Sequence, residues 1–283
     1  MGSPFLATSS ARAWLPLIPI LGSLALAHFL SLGQSPLWRM LLLSTVLMLG
    51  MKLWIYQSWS RSSGRHLPGF NRICFTFLWV GMDPESWRRR HSHLTWKRDA
   101  IDASACLIAG TSGLILLRKF GVSHVIPLFL VTSLAFHFGA LGLLRAYWRR
   151  RGIATKCLFR NPLRSRSLAD FWSRRWNLAY SQMISRLVDR PLKGTVKPPT
   201  RLILAFLISG LIHEVAITLP IQSHYGLPSL FFLIQGCLVL VFEKLKLPTE
   251  LERPLALTSL IAGLPLLFPQ PFVDQVIVAP LTQ

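Results

Sequence analysis

Apolar runs of about twenty residues dominate this chain, at 14–32, 37–56, 101–118, 125–147, 202–220, 228–243 and 255–279. A helix that crosses the ~30 Å hydrocarbon core of a bilayer needs ~20 such residues. The runs therefore predict an all-α integral membrane protein with seven or eight transmembrane helices, folded as one polytopic domain over 1–283. The stretch 71–82, NRICFTFLWVGM, is too short to cross and reads as re-entrant or interfacial, with Trp79 at a belt position. Composition agrees, with 52% hydrophobic residues, 15% charged and a mean hydropathy of +0.45. Arg12 followed by an apolar run and Ala25-Leu26-Ala27 has the look of a secretory leader. The run continues to Leu32 and further spans follow, so a first helix is the better reading.

A net charge of +20 fits an oily chain only if the charge lies in loops. Between Arg145 and Arg201 there are fifteen Lys and Arg against Asp170 and Asp189. These residues flank apolar runs, so the positive-inside rule accounts for them better than nucleic-acid binding does. With the basic loop 148–200 in the cytosol, the segments 83–100, 57–70 and 244–254 and the N-terminus fall on the same side. The chain then crosses seven times, in a bacterial inner membrane or the endoplasmic reticulum. Arg39, Arg118 and Lys119 fall on the opposite side, near helix ends from which they are expected to snorkel. Cys74, Cys106, Cys157 and Cys237 are scattered without metal-ligand or disulfide spacing, and no metal site is expected.

Within the basic loop, Ser167 followed by Asp170 reads as a helix cap with an acidic residue in the first turn. Leu168, Phe171, Trp172, Trp176, Ala179, Met183 and Leu187 then recur at helical spacing, interrupted by Arg174, Arg175, Arg186 and Arg190. That pattern predicts one amphipathic helix over 167–190 at the cytosolic interface, ended by Pro191.

Several familiar chemistries are missing. There is no G-x-S-x-G, no phosphate loop and no G-x-G-x-x-G. His91, His93 and Asp99 form an H-x5-D pattern that reads as interfacial loop. The costly residues are His213 and Glu214, near the middle of the run 202–220. Ser209 and Gly210, four and three residues back, lie on the His213 face and are expected to clear space beside the imidazole. Glu214 projects ~100° away around the helix and is expected to pair with an arginine or polar group behind the site. Taken alone, an intramembrane histidine is more often interhelical glue, as His28 and His137 are expected to be.

The segments NPL at 161–163, SLADFWSRRWN at 167–177 and SGLIHE at 209–214 change that balance. In this order they resemble the membrane-bound O-acyltransferase superfamily, and within it the wax synthase branch, over roughly 70–245. WVGMDP at 79–84 resembles a further stretch of that branch, with Val80 in place of the usual proline. Ala169 and Ser173 also depart from its pattern. The resemblance implies that His213 and Asn177 are the catalytic pair, with acyl-CoA as co-substrate, a lipophilic alcohol as acceptor and no other cofactor.

Such a transfer needs a base for the hydroxyl proton and a dipole for the developing oxyanion. His213 suits the first task, and the Asn177 amide can hold either the carbonyl or the acceptor, with Glu214 and Ser209 in support. No side chain offers itself as a covalent nucleophile, so direct transfer is expected. Arg164, Arg166, Arg174 and Arg175 either meet the donor from the cytosolic side or anchor the loop there, and Trp172 and Trp176 either line the donor entry or pack beneath it. A terpenoid or sterol hydroxyl as acceptor, and a non-catalytic lipid-binding protein or transporter, are the alternatives.

Overall fold

The computed structural model describes residues 17–282, and among them the secondary structure is helical throughout. The elements that position the site are α1 (Leu17–Leu30), α2 (Pro36–Ser63), α3 (Gly69–Phe77), α4 (Lys97–Lys119) and α5 (Val125–Arg150). After the basic segment come α6 (Leu178–Ile184), α7 (Pro198–Ala216), α8 (Leu227–Leu245) and α9 (Thr249–Leu267). Five of these helices are long and apolar enough to span a bilayer: α2, α4, α5, α7 (extended through Ile221) and α8. A sixth span is counted if α9 and the helix Gln270–Val278 form one bent crossing, with 69° between them. The protein is an integral membrane protein, with five or six long spans among the described residues against the seven or eight expected from the apolar runs.

The difference arises at both ends of the chain. The run 255–279 contains Gly263, Pro265, Pro269 and Pro271. Proline removes a backbone donor and clashes with the preceding turn, so the helix breaks there instead of continuing. At the other end, α1 has 14 described residues, about 21 Å at 1.5 Å per residue, short of a full crossing. The leader-like Arg12 and the start of the run at 14 lie outside the described residues.

The large exposed side chains are those of a surface that faces lipid. Ile101, Ile108 and Ile115 form an exposed stripe at seven-residue spacing on α4. Ile18, Leu21, Phe29 and Leu30 are likewise exposed on α1. On its protein side, α4 meets α5 through small residues. A Cβ on Gly139 would lie 2.8 Å from the Leu107 Cα, so the glycine is what permits the approach.

The segments expected on one side of the membrane meet at one end of the bundle. Glu85 pairs with Arg65 and Arg88, Asp99 with Arg145 and Arg149, and Asp83 with Lys156. Arg253 donates to the Leu163 carbonyl, and the Leu168 N–H donates to Glu252. Asp99 is thus held by two arginines, and His91 lies in an exposed loop whose N–H bonds the Gly152 carbonyl.

Two buried cations were not anticipated in these roles. Lys52 is fully buried in α2 and donates to the carbonyls of Phe75 at 2.7 Å and Gly81 at 2.6 Å. Phe75 belongs to the last turn of the short helix α3, where carbonyls lack intrahelical partners. Lys52 thereby pins the 69–82 segment to the bundle. Arg39 does not snorkel: it is only 3% exposed and bonds His28 Nδ1 at 3.3 Å and the Leu219 carbonyl at 3.0 Å. The carbonyl lies just past the break at Ile217 that ends α7, so the buried cation finds a backbone acceptor instead of reaching water.

Candidate active site

The basic segment does not form one helix over 167–190. Ser167 caps it as expected, its Oγ accepting from the Asp170 N–H at 2.9 Å. The chain then runs through the short helix Leu168–Asp170 and a π-helical turn, Phe171–Arg175. It breaks at Trp176, which is extended, and at Asn177, which is left-handed with φ 42° and ψ 62°. Asparagine is one of the few residues that adopt this conformation readily. The side chain also compensates for the break. Asn177 Oδ1 accepts from the Tyr180 N–H at 3.2 Å and so caps α6. From the other side, the Arg160 N–H donates to the Arg175 carbonyl and the Leu178 N–H to the Leu158 carbonyl. Helical periodicity continues across the break because both halves turn their apolar side chains inward. Pro191 does not end the segment but sits within the last helical turn, Arg190–Leu192.

Trp176 fills the space that the break creates. It stacks on Phe171 at 5.6 Å and meets Phe159 at 5.0 Å and His137 at 5.4 Å. Trp172 packs against Phe206, Phe231 and Phe232. Both tryptophans thus pack against aromatic neighbours while staying partly exposed. Arg175 is similarly engaged, with Asp170 at 2.6 Å and the carbonyls of Arg160 and Asn161. Arg164, Arg166 and Arg174 are exposed on the same segment. Burial alone would raise the Asp170 carboxyl, but hydrogen bonds from Arg175 and the Arg166 N–H, with the charges of Arg175 and Arg174, hold it below the usual carboxylate range.

His213 sits in the last turn of α7 and is half-buried. Its Nδ1 lies 2.7 Å from the Ser209 carbonyl. A carbonyl oxygen only accepts, so Nδ1 carries a proton, and in the neutral ring Nε2 keeps its lone pair. Two rings flank the imidazole, Phe232 of α8 at 4.4 Å and Tyr180 of α6 at 6.1 Å between centroids. Ser209 contributes through its backbone, while its hydroxyl donates to the Ala205 carbonyl. Gly210 makes room for a helix and not for a ligand: a Cβ there would lie 2.5 Å from the Ser229 Cα of α8.

Glu214 turns away from His213 toward polar groups, with no arginine among its hydrogen-bond partners. One carboxylate oxygen accepts from the Ser229 N–H at 3.0 Å and the Ser229 hydroxyl at 2.8 Å, and the other accepts from Thr218. It locks α7 to α8 at the level where Phe232 meets His213. His28 does bond across helices, to Arg39. His137 instead lies on a π-helical stretch of α5, Leu134–Ala140, among aromatic rings, with its buried Nδ1 unpartnered.

The structure thus joins His213 to Ser209, sends Glu214 to Ser229 and Thr218, and places Tyr180, whose N–H Asn177 accepts, beside the imidazole. Tyr180 and Phe232 join the site only in the folded chain. Tyr180 carried one signal, its place in the first turn after an asparagine that favours caps. Phe232 carried none, because only the crossing of α7 and α8 aligns it with His213.

Residues 155–234 match the model of the membrane bound O-acyl transferase family. A probable long-chain-alcohol O-fatty-acyltransferase 9 of Arabidopsis thaliana is 28% identical over 138 residues, covering 43% of this chain and 40% of that protein. A long-chain-alcohol O-fatty-acyltransferase of Simmondsia chinensis is 37% identical over 65 residues, covering 20% of this chain and 18% of that protein. A probable long-chain-alcohol O-fatty-acyltransferase 2 of Arabidopsis thaliana is 31% identical over 111 residues, covering 35% and 32%. The chain spans less than half the length of these curated relatives. The matched segment holds both the left-handed cap at Asn177 and the intramembrane His213, and over it the chain is similar to the membrane bound O-acyl transferase family and to these long-chain-alcohol O-fatty-acyltransferases.

Proposed function

We propose that the protein transfers an acyl group from acyl-CoA to the hydroxyl of a lipophilic alcohol, in one direct step. The observation that carries this reading is the His213 imidazole, fixed through Nδ1 within a membrane span so that Nε2 is the basic atom. Nε2 takes the proton of the acceptor hydroxyl as its oxygen bonds to the thioester carbon. The carbon–sulfur bond breaks, the thiolate of CoA leaves, and the imidazolium returns its proton to that sulfur. Products are an ester and CoA, with no covalent enzyme intermediate.

Negative charge develops on the carbonyl oxygen during the step and needs a donor. Asn177 uses its side-chain oxygen as the helix cap, which leaves the amide N–H groups for this task. Arg164, Arg166 and Arg174 are exposed on the basic segment and suit the phosphates of CoA. Arg175 holds the segment in shape through Asp170. Glu214 and Ser209 support the base by setting the helix pair and the imidazole. The names of the relatives favour a long-chain alcohol over a terpenoid or sterol acceptor. We assign the basic segment to the cytosolic face, where CoA is available.

The test is ester formation by the full chain in lipid nanodiscs given palmitoyl-CoA and hexadecanol, followed by mass spectrometry. The wild type is expected to form the ester, and His213→Ala is expected to abolish it. Ester formation that survives this substitution sinks the assignment of the base. Acyl-CoA that is bound but never consumed, across a panel of alcohols, favours a non-catalytic lipid-binding role.

A further inference from the structure

We infer that Tyr180 is a positioning residue that clamps the His213 imidazole through its ring, a role that rests on the acyl-transfer reading. A single hydrogen bond from Nδ1 to the Ser209 carbonyl fixes one atom of the ring. The torsion about the Cβ–ring bond is broad, so Nε2 could still swing. Two neighbours restrict it. Phe232 approaches at 4.4 Å with 40° between the planes, and Tyr180 at 6.1 Å with 62° between the planes. They arrive on different elements, α8 and α6, so neither can move with the other.

The position of Tyr180 is itself determined by the family segment. Asn177 Oδ1 accepts the Tyr180 N–H at 3.2 Å, and the next residue, Ser181, donates its hydroxyl to the Trp172 carbonyl at 3.0 Å. The left-handed turn at Asn177 starts α6 and aims its first turn at α7. Asn177 and His213 lie far apart in sequence, and Tyr180 is the residue through which the first reaches the second. The hydroxyl of Tyr180 is buried beside the Ser209 hydroxyl without a well-formed hydrogen bond. The ring is therefore the working part, and the hydroxyl is secondary. This differs from a catalytic role: Tyr180 acts on the base and not on the substrate.

The test uses the full chain in nanodiscs with palmitoyl-CoA and hexadecanol. Tyr180→Leu is expected to lower kcat about 10- to 100-fold with KM changed by no more than about twofold, because misplacing a base by ~1 Å costs rate and not binding. Tyr180→Phe keeps the ring and is expected to rescue kcat to within about threefold of wild type. A second readout needs no turnover. In protein carrying ¹⁵N-histidine, the His213 resonance is assigned by its loss in His213→Ala. The wild type and Tyr180→Phe are expected to show Nδ1 protonated and Nε2 bare, and Tyr180→Leu to show exchange between tautomers. A Tyr180→Leu protein with the wild-type tautomer overturns the clamp. So does Tyr180→Phe behaving as Tyr180→Leu, which would move the role to the hydroxyl. If the wild type consumes no acyl-CoA, the acyl-transfer reading falls, while the nitrogen spectrum still decides the clamp.

Discussion

Asn177 carries three separable burdens, and substitutions can be chosen to remove them one at a time. Its backbone is left-handed at φ 42° and ψ 62°, its side-chain oxygen caps α6, and its amide N–H groups are proposed to meet the substrate carbonyl. For a residue with a Cβ and no polar side chain, the left-handed conformation costs ~1–2 kcal/mol. Loss of the cap costs a further ~1 kcal/mol when alanine replaces asparagine. Asn177→Ala is thus expected to destabilise by about 2–3 kcal/mol. Asn177→Gly meets the backbone demand and is expected to cost only a few tenths of a kcal/mol, roughly, through the cap. Asn177→Asp keeps an oxygen for the Tyr180 N–H and tolerates the left-handed turn, so its stability is expected within about 0.5 kcal/mol of wild type. It lacks the amide donor, and kcat is expected to fall ~10²–10³-fold. The assays are thermal unfolding in nanodiscs and ester formation from palmitoyl-CoA and hexadecanol. Equal destabilisation by Ala and Gly would refute the backbone argument. Wild-type turnover by Asn177→Asp would refute the amide donor.

Other perturbations follow from the packing. Gly210→Ala drives a methyl against the Ser229 Cα and is expected to destabilise by ~1–3 kcal/mol, seen as a lowered unfolding temperature, whereas an exposed Gly22→Ala is expected to be nearly neutral. Lys52→Met leaves the Phe75 and Gly81 carbonyls without their donor and is expected to cost ~1–3 kcal/mol and to open the 69–82 segment to proteases. Asp170 has a folded pKa below its unfolded value, so its stabilisation is present above the unfolded pKa of ~3.9 and is lost as pH falls through the lowered folded value. Asp170→Asn is expected to destabilise the protein near neutrality and to flatten the loss of stability between about pH 5 and 2, measured by unfolding at each pH.

The long apolar runs determined by themselves that the chain is helical and lies in a membrane, because an apolar stretch of that length leaves the backbone few other ways to satisfy its hydrogen bonds. The NPL, FWSRRWN and SGLIHE segments pointed to Asn177 and His213 only through their resemblance to the membrane-bound O-acyltransferases. Periodicity could not reveal the break between Trp176 and Asn177, since the apolar side chains keep helical spacing on both sides of it. Only the tertiary structure decided what each costly residue touches. It gave Glu214 to Ser229 and Thr218, Arg39 to His28 and a carbonyl, and Lys52 to the carbonyls of the 69–82 segment. It turned Arg175 inward to Asp170, and it used Gly210 to bring two helices together. A sequence records which groups need partners, but the partner of a buried group is whatever the packing brings within about 3 Å of it. For His213 those neighbours are a carbonyl one turn back, which the helix supplied, and the rings of Phe232 and Tyr180, which came from elements far away in the chain.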